Sequence, residues 1–354
     1  MRRFRGLIWA QARPTRARIL GPTAGTKGWP MVQKATTFAV SCRGASHVPK
    51  GVPCQDYSLQ YADSEAQLIV VCDGHGSSTY VRSAVGARLA AEIAKEELLR
   101  FMRSADASAF LKNQAGAVTA RTDVGDSCWS AKQADMSESA ILREEQANLY
   151  QSQIANIQPQ ERIIRKLCAS ICEKWKTAIQ KDAEDNPFTD AERERLGKAD
   201  LVKAYGTTLM AYIQVEWGWL AIHIGDGRLL CLNKDGDAEK WQSLVPWDCA
   251  CFLNYTTSLC NAKPVEAFRY AFDGTGKYPM AVLACSDGVE DSLGDYDVNS
   301  DRLHGFFSKI LAMVLEEGVA NASARMETGL TAMSENGSKD DMSLAGIINP
   351  QEER

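Results

Sequence analysis

Two short apolar runs constrain this 354-residue chain more than any other feature. QLIVVC (67–72) and AVLAC (281–285) do not alternate, and each stops against an aspartate–glycine pair, in CDGHG and CSDG. Continuous runs of this length mark strands buried on both faces. An aspartate–glycine pair is ordinarily a hairpin turn, and Asp235–Gly236 and Asp273–Gly274 fit that ordinary reading. Asp73 and Asp287 do not, because each closes a buried strand instead of an exposed hairpin.

The remaining pattern places these runs in a fold. TTFAVS (36–41) alternates and reads as an opening strand, and YSLQYAD as a second. After DGHGSS a helix is expected from Ser77 or Ser78, capped by the hydroxyl, to about Arg103. Residues from about 104 to 200 turn polar and read as a helical insertion. Within them, Ile164, Leu167, Ile171, Trp175 and Ile179 recur at spacings of three and four, the apolar face of a helix. KDAEDNPFTDAERERLG reads as a loop and a short charged helix, with Asn-Pro as the breaker. From Tyr205, GTTLMAYIQVEWGWLAIHIGDGRLLCLNKDG reads as three successive antiparallel strands with turns at EWG, GDG and DG. Helices are expected at about 300–334, and DDMSLAGII as a last strand. Strands at both ends around a helical middle predict that the two ends share one sheet system. The fold class is α+β, a sandwich and not a doubly wound parallel sheet.

Composition sets outer bounds. Hydrophobic residues make up 45% and charged residues 24%, enough for a sizeable core. A net charge of −5 argues against nucleic acid as the main partner. The eleven cysteines are spread along the chain, many inside apolar runs. The closest pairs, Cys168/Cys172 and Cys249/Cys251, form no half of a zinc-ligand pattern. They read as reduced, buried small hydrophobes, consistent with a cytoplasmic protein. Residues 1–31 form an arginine-rich leader, with the first acid of the chain only at Asp56. That leader is expected to be disordered, ahead of a single domain at 32–350. No run reaches the ~18 apolar residues of a membrane span.

Four acids share one setting, a strand end beside a small or polar residue: Asp56 in CQD, Asp73 in CDGHG, Asp287 in CSDG and Asp340 in KDDMS. Mg²⁺ and Mn²⁺ prefer hard oxygen ligands, and several carboxylates together can hold a pair of ions. Glycine after aspartate lets the backbone come close, so that a carbonyl can join the ligands.

The ordered set QD, DGHG, YGTTL, GDGR, SDGVED and DDMS resembles the type-2C (PPM) family of metal-dependent protein serine/threonine phosphatases, and most of all its bacterial branch, over roughly residues 36–348. The resemblance implies a four-layer α-β-β-α sandwich of two antiparallel sheets flanked by helices, with two Mn²⁺ or Mg²⁺ ions at one end. It implies that Asp73 bridges the ions, that the Gly74 carbonyl ligates one, and that Asp287 and Asp340 complete the other. Asp56 would ligate metal or orient the attacking water, and His75 would be the general acid for the leaving alkoxide. Asp226 and Asp291 match positions of a third, weaker metal. Lys50 is the candidate grip on substrate phosphate, with Arg43 and His47 as alternatives. Gln55 stands where many members have glutamate, one negative charge fewer.

The implied activity is hydrolysis of phosphoserine or phosphothreonine on a protein, a partner kinase or its target, by a signalling enzyme acting as a monomer. The alternative is a catalytically weak member that binds or senses a phosphorylated partner, and a hydrolase of small phosphate esters is a third reading. Trp217, Trp219, Trp241 and Trp247 read as sheet packing. Cys249 and Cys251 fall where members carry a variable flap.

Overall fold

Side chains alternate across a strand, so a strand apolar on both faces needs cover on both sides. The computed structural model describes residues 35–116, 159–235, 238–248, 251, 255–294 and 296–350. The basic leader and residues 117–158 of the expected insertion lie outside the described residues. One sheet has the spatial order β1 (Thr36–Cys42), β11 (Met342–Ile348), β10 (Ala281–Cys285), β7 (Arg228–Asp235) and β8 (Ala238–Ser243). The other runs β2 (Tyr57–Ala62), β3 (Ala66–Cys72), β5 (Leu209–Val215), β6 (Gly218–Ile224), β9 (Arg269–Asp273) and β4 (Ala115–Gly116). Every pairing described is antiparallel, and β1 pairs with β11, so the two ends of the domain share a sheet as expected.

Eight helices are described: α1 (Ser83–Met102), α2 (Ala105–Leu111), α3 (Pro159–Asp185), α4 (Asp190–Leu196), α5 (Leu201–Ala204), α6 (Pro264–Ala267), α7 (Asp287–Leu293) and α8 (Tyr296–Asn336). In β3, Leu68, Val70 and Cys72 meet Ala87, Ala90, Ala91 and Ala94 of α1 and the apolar face of α3. Ile69 and Val71, on the opposite face, meet Val282, Ala284, Ala345 and Ile347 of the other sheet. Beyond that sheet, Phe38, Leu283 and Leu344 pack on Leu303, Phe307, Ile310, Met326 and Leu330 of α8. The layers are therefore α-β-β-α, the predicted α+β sandwich.

Gly318 has φ +76°, a left-handed value that no turn of a right-handed helix contains. It interrupts the regular turn of α8, and residues on both sides of it share the same core.

Two expectations are corrected. The first helix begins at Ser83 without a side-chain cap, not at Ser77 or Ser78. Residues 77–82 instead turn back on α5, with the Arg82 amide donating to the Ala204 carbonyl at 2.7 Å. The Arg82 side chain is bonded to Glu192 and stacked 3.8 Å from the Phe188 ring centroid, contacts from distant sequence that override the local cap signal. The second correction concerns 205–235. β5 and β6 pair as a hairpin, but β7 belongs to the other sheet. Gly225, at φ +125°, carries the chain across, and a Cβ there would lie 2.5 Å from that of Thr208. GDG is thus a crossover between sheets and not a hairpin turn.

The α3 part of 104–200 is integral to the core. Ile164, Leu167, Ile171, Trp175 and Ile179 of α3 are all buried as their spacing predicts, and the Trp175 Nε1–H donates to the Gly86 carbonyl at 3.0 Å. Glu97 of α1, 1% exposed, accepts from Lys174 Nζ (2.5 Å) and Ser170 Oγ (2.6 Å) of α3 and from Arg100. Burial alone raises its carboxyl, but the bonds from Arg100, Lys174 and Ser170 outweigh that and hold it down at about 2.

Two outcomes follow from this packing. Trp175→Ala is expected to cost ~3–5 kcal/mol in urea unfolding, as for a fully buried aromatic. Because the Glu97 carboxyl is depressed from 4.5 to about 2, its contribution is fully present above about 4.5 and is lost as pH falls through about 2. Unfolding followed between those values should show a steeper acid loss in the native chain than in Glu97→Gln.

Candidate metal centre

Strand register gathers the acids. Cys72 faces Tyr57 across β3 and β2, so Asp73 and Asp56, one residue beyond each, meet at one end of that sheet. In the other sheet Cys285 lies opposite both Leu344 and Arg228, which brings Asp287, Asp340 and Asp226 to a common end. The result is a cleft of about 400 Å³ whose lining includes Asp73, Gly74, His75, Thr208, Asp226, Asp287, Asp291 and Asp340. Asp56 lies behind it, 6% exposed.

Neutral donors hold this end in shape. The Asp73 carbonyl accepts from the Thr208 amide and from Thr207 Oγ1, both at 2.8 Å, while the Asp73 amide donates to Thr208 Oγ1 at 3.0 Å. The His75 amide donates to the Gly206 carbonyl at 3.1 Å, so YGTTL is the backing of DGHG. Gly74 lies so close to the preceding loop that a Cβ would sit 2.4 Å from the Gln55 carbonyl oxygen. Gln55 Nε2 donates to Ser83 Oγ (2.5 Å) and to the His75 carbonyl (3.3 Å). A carboxylate cannot donate, so glutamine at this position ties DGHG to the start of α1 in a way glutamate would not.

The charge balance is unusual. Burial, and then repulsion from neighbouring carboxylates, pushes Asp56 and Asp73 well above the usual carboxylate range, although Ser286 bonds to Asp56 and partly offsets its shift. Burial first, then Asp226, Asp340 and Asp291, push Asp287 up to about 7 against a bond from Asp73 that lowers it. Asp226 and Asp291 are raised for the same first reason. Asp56 Oδ2 is buried without a hydrogen-bond partner. Among the described residues Arg228 is the one lysine or arginine of the lining, and its guanidinium forks onto Glu290 at 2.5 and 2.7 Å. An orphaned carboxylate oxygen and a set of hard oxygen donors in mutual repulsion fit divalent cations. Among the described residues no three acidic, imidazole or thiol groups converge on a single point, so the carboxylates line the walls without closing around one.

His75 Nε2 lies 2.8 Å from Ser258 Oγ, and its ring centroid 4.6 Å from that of Tyr80. Burial, with Lys203 adding to it, pushes the imidazole down to about 4, so the ring is neutral at pH 7 in this state.

Not every expected residue reaches the cleft. Arg43 donates to the His47 carbonyl at 2.8 Å, His47 Nδ1 lies 3.0 Å from Asp341 Oδ1, and Lys50 is exposed on the same loop. None of the three lines the cleft. The cause is Asp341, which is absent from the candidate ligands read in the sequence although it adjoins Asp340. Buried at 3% exposure, it accepts from the Gly44 amide (2.5 Å) and the Gln55 amide (2.6 Å) and thereby anchors the loop between β1 and β2 to the start of β11. The doubled aspartate in KDDMS was the available signal: neighbours on an extended chain point to opposite sides, so only one of the two can face the cleft. Ser258, Ser286 and Glu290 carried no recognisable signal of their own. Cys251 lines the cleft, whereas Cys249 lies outside the described residues. All nine described cysteines are free.

A family model described as Protein phosphatase 2C matches residues 43–331. No curated protein matches the chain. Among solved structures, a bacterial serine phosphatase aligns at 14% identity and TM-score 0.48, over 90% of this chain and all of that one. The serine/threonine phosphatase Stp1 from Staphylococcus aureus aligns at 12% identity and TM-score 0.47, over 93% of this chain and all of its own. The Mycobacterium tuberculosis serine/threonine phosphatase PstP/Ppp aligns at 14% identity and TM-score 0.44, over 90% and 100%. Likenesses this remote say nothing of individual residues here.

Removing the Asp341 carboxylate leaves two buried amides and His47 without their acceptor. Asp341→Ala is expected to cost about 3 kcal/mol or more in denaturant unfolding, and more than Asp340→Ala measured in the same way.

Proposed function

The chain belongs to the protein phosphatase 2C family, and we propose that it hydrolyses phosphoserine and phosphothreonine on proteins with water at a binuclear Mn²⁺ or Mg²⁺ centre. The observation that carries this reading is the buried, mutually repelling set Asp56, Asp73 and Asp287, with one carboxylate oxygen unpartnered. Such a set is costly without cations and becomes favourable with them. Family membership makes the chain a protein serine/threonine phosphatase.

In this reading Asp73 would be shared by the two ions, and the Gly74 carbonyl, Asp287 and Asp340 would serve as their further ligands. Asp56 ligates or orients the attacking water. Asp226, on the crossover between the sheets, and Asp291, on α7, would hold a third and weaker ion. When bound, the pair of ions supplies Lewis acidity toward phosphate oxygens and makes water nucleophilic near neutral pH. The protein's own part is positioning, as phosphoryl transfer chiefly requires. Thr207 and Thr208 fix the backbone of Asp73, and Gln55 fixes the loop that carries His75. His75 delivers the proton to the leaving serine or threonine oxygen. A dianionic phosphate entering the cleft raises the proton affinity of that imidazole from its depressed value. The substrate is a phosphorylated protein, a kinase or its target, and the site of action is the cytoplasm.

Turnover of a phosphothreonine peptide is expected to require Mn²⁺, to vanish with EDTA, and to fall ~100-fold or more in Asp73→Asn and Asp287→Asn. Metal-independent turnover, or full activity in both variants, would overturn the two-metal reading. Peptide binding in Mn²⁺ without any turnover would instead identify a binding module.

A further inference from the structure

Two aromatic side chains stand at the cleft and are not buried in any core. Trp247 is 38% exposed and Tyr255 60% exposed, and both belong to the lining of the cavity that holds the aspartates. Trp247 is therefore more than the sheet packing its sequence suggested. It is also held in place. Arg228 Cζ lies 3.7 Å from the indole centroid, and Arg228 is itself fixed by its fork onto Glu290. Behind it, Arg269 donates to the Pro246 carbonyl at 3.0 Å and to the Gly225 carbonyl at 2.5 Å, tying the residue before Trp247 to the crossover that carries Asp226. An exposed indole pinned in this way loses little entropy when something stacks on it.

We propose that Trp247 and Tyr255 form a reading surface for the residue flanking the phosphoserine or phosphothreonine, and that it selects an apolar or aromatic side chain. The inference rests on the phosphatase reading of the cleft. A phosphoryl group occupies a small part of a cavity of about 400 Å³. The Cα of the next residue lies only about 3.8 Å farther along the peptide, so that residue must pass over the cavity wall. What already lies on the wall decides the selection. One guanidinium already occupies the indole face at 3.7 Å and a second lies 6.0 Å from its centroid, so a further cation gains little by stacking there. An acidic flank would meet Asp291 and Glu290 of the same lining. An apolar or aromatic flank meets neither obstacle and gains the stacking contact.

The test is a set of phosphothreonine peptides identical but for one flanking residue, alanine, phenylalanine, lysine or aspartate, measured for turnover in Mn²⁺ and for binding by anisotropy. The native chain is expected to show a KM for the phenylalanine peptide about tenfold below that for the alanine peptide, with similar kcat. Trp247→Ala and Tyr255→Ala should each shrink that preference, and Trp247→Phe should keep most of it. Tyr255→Ala, at an exposed position, serves if Trp247→Ala does not fold. Equal KM values for phenylalanine and alanine, or a preference for lysine, would overturn the reading surface. So would a uniform fall in kcat in Trp247→Ala with the preference intact, because the ring would then only brace Arg228. Phenylalanine-dependent binding without turnover would overturn the phosphatase reading and leave the reading surface standing.

Discussion

Carboxylates repel one another most where water is excluded, and this chain keeps Asp56, Asp73 and Asp287 together in such a place. Everything near the cleft answers to that constraint. Within each sheet the strand ends that lead to the acids are in register, so Asp56, Asp73 and Asp287 are placed next to strand ends. Rigid elements of this kind hold functional groups more accurately than loops do. The cost of gathering like charges is spread over a sandwich whose three apolar clusters occupy both sides of both sheets.

The supports of the site are mostly uncharged. Thr207, Thr208 and Gln55 donate to carbonyls and hydroxyls around DGHG, and none of them adds to the negative field. Asp341 is the instructive contrast. It adjoins Asp340, yet backbone amides satisfy it, and it serves the loop between β1 and β2 instead of the cleft. The same carboxylate recruits His47, whose carbonyl in turn holds Arg43. Two residues that look like phosphate grips in the sequence are in this way committed to the fold.

On the opposite wall the charges are paired. The Arg228–Glu290 fork joins β7 to α7, between the two segments that supply Asp226 and Asp291, and the Trp247 indole covers the guanidinium. A paired arginine under an aromatic ring gives that wall shape without a strong net charge. The character of the cleft mouth therefore comes from aromatic surface more than from basic residues.

Most of the strands, the amphipathic stretch from Ile164 to Ile179 and the aspartates at strand tips were legible in the sequence, because burial on two faces and a 3.6-residue period leave direct marks on residue order, whereas β4, β8 and β9 were not marked. The motif order also marked the family and its implied ligands. What the sequence did not carry were relations between distant segments. That GDG crosses between sheets depends on how Gly225 packs against Thr208, and the late start of α1 depends on Arg82 meeting Glu192 and Phe188. Which of two adjacent aspartates faces the cleft, and whether Trp247 is core or surface, are settled by the partners each meets. Local sequence determines which faces must be buried; only tertiary structure decides what is brought against them, since those contacts join residues far apart in the chain.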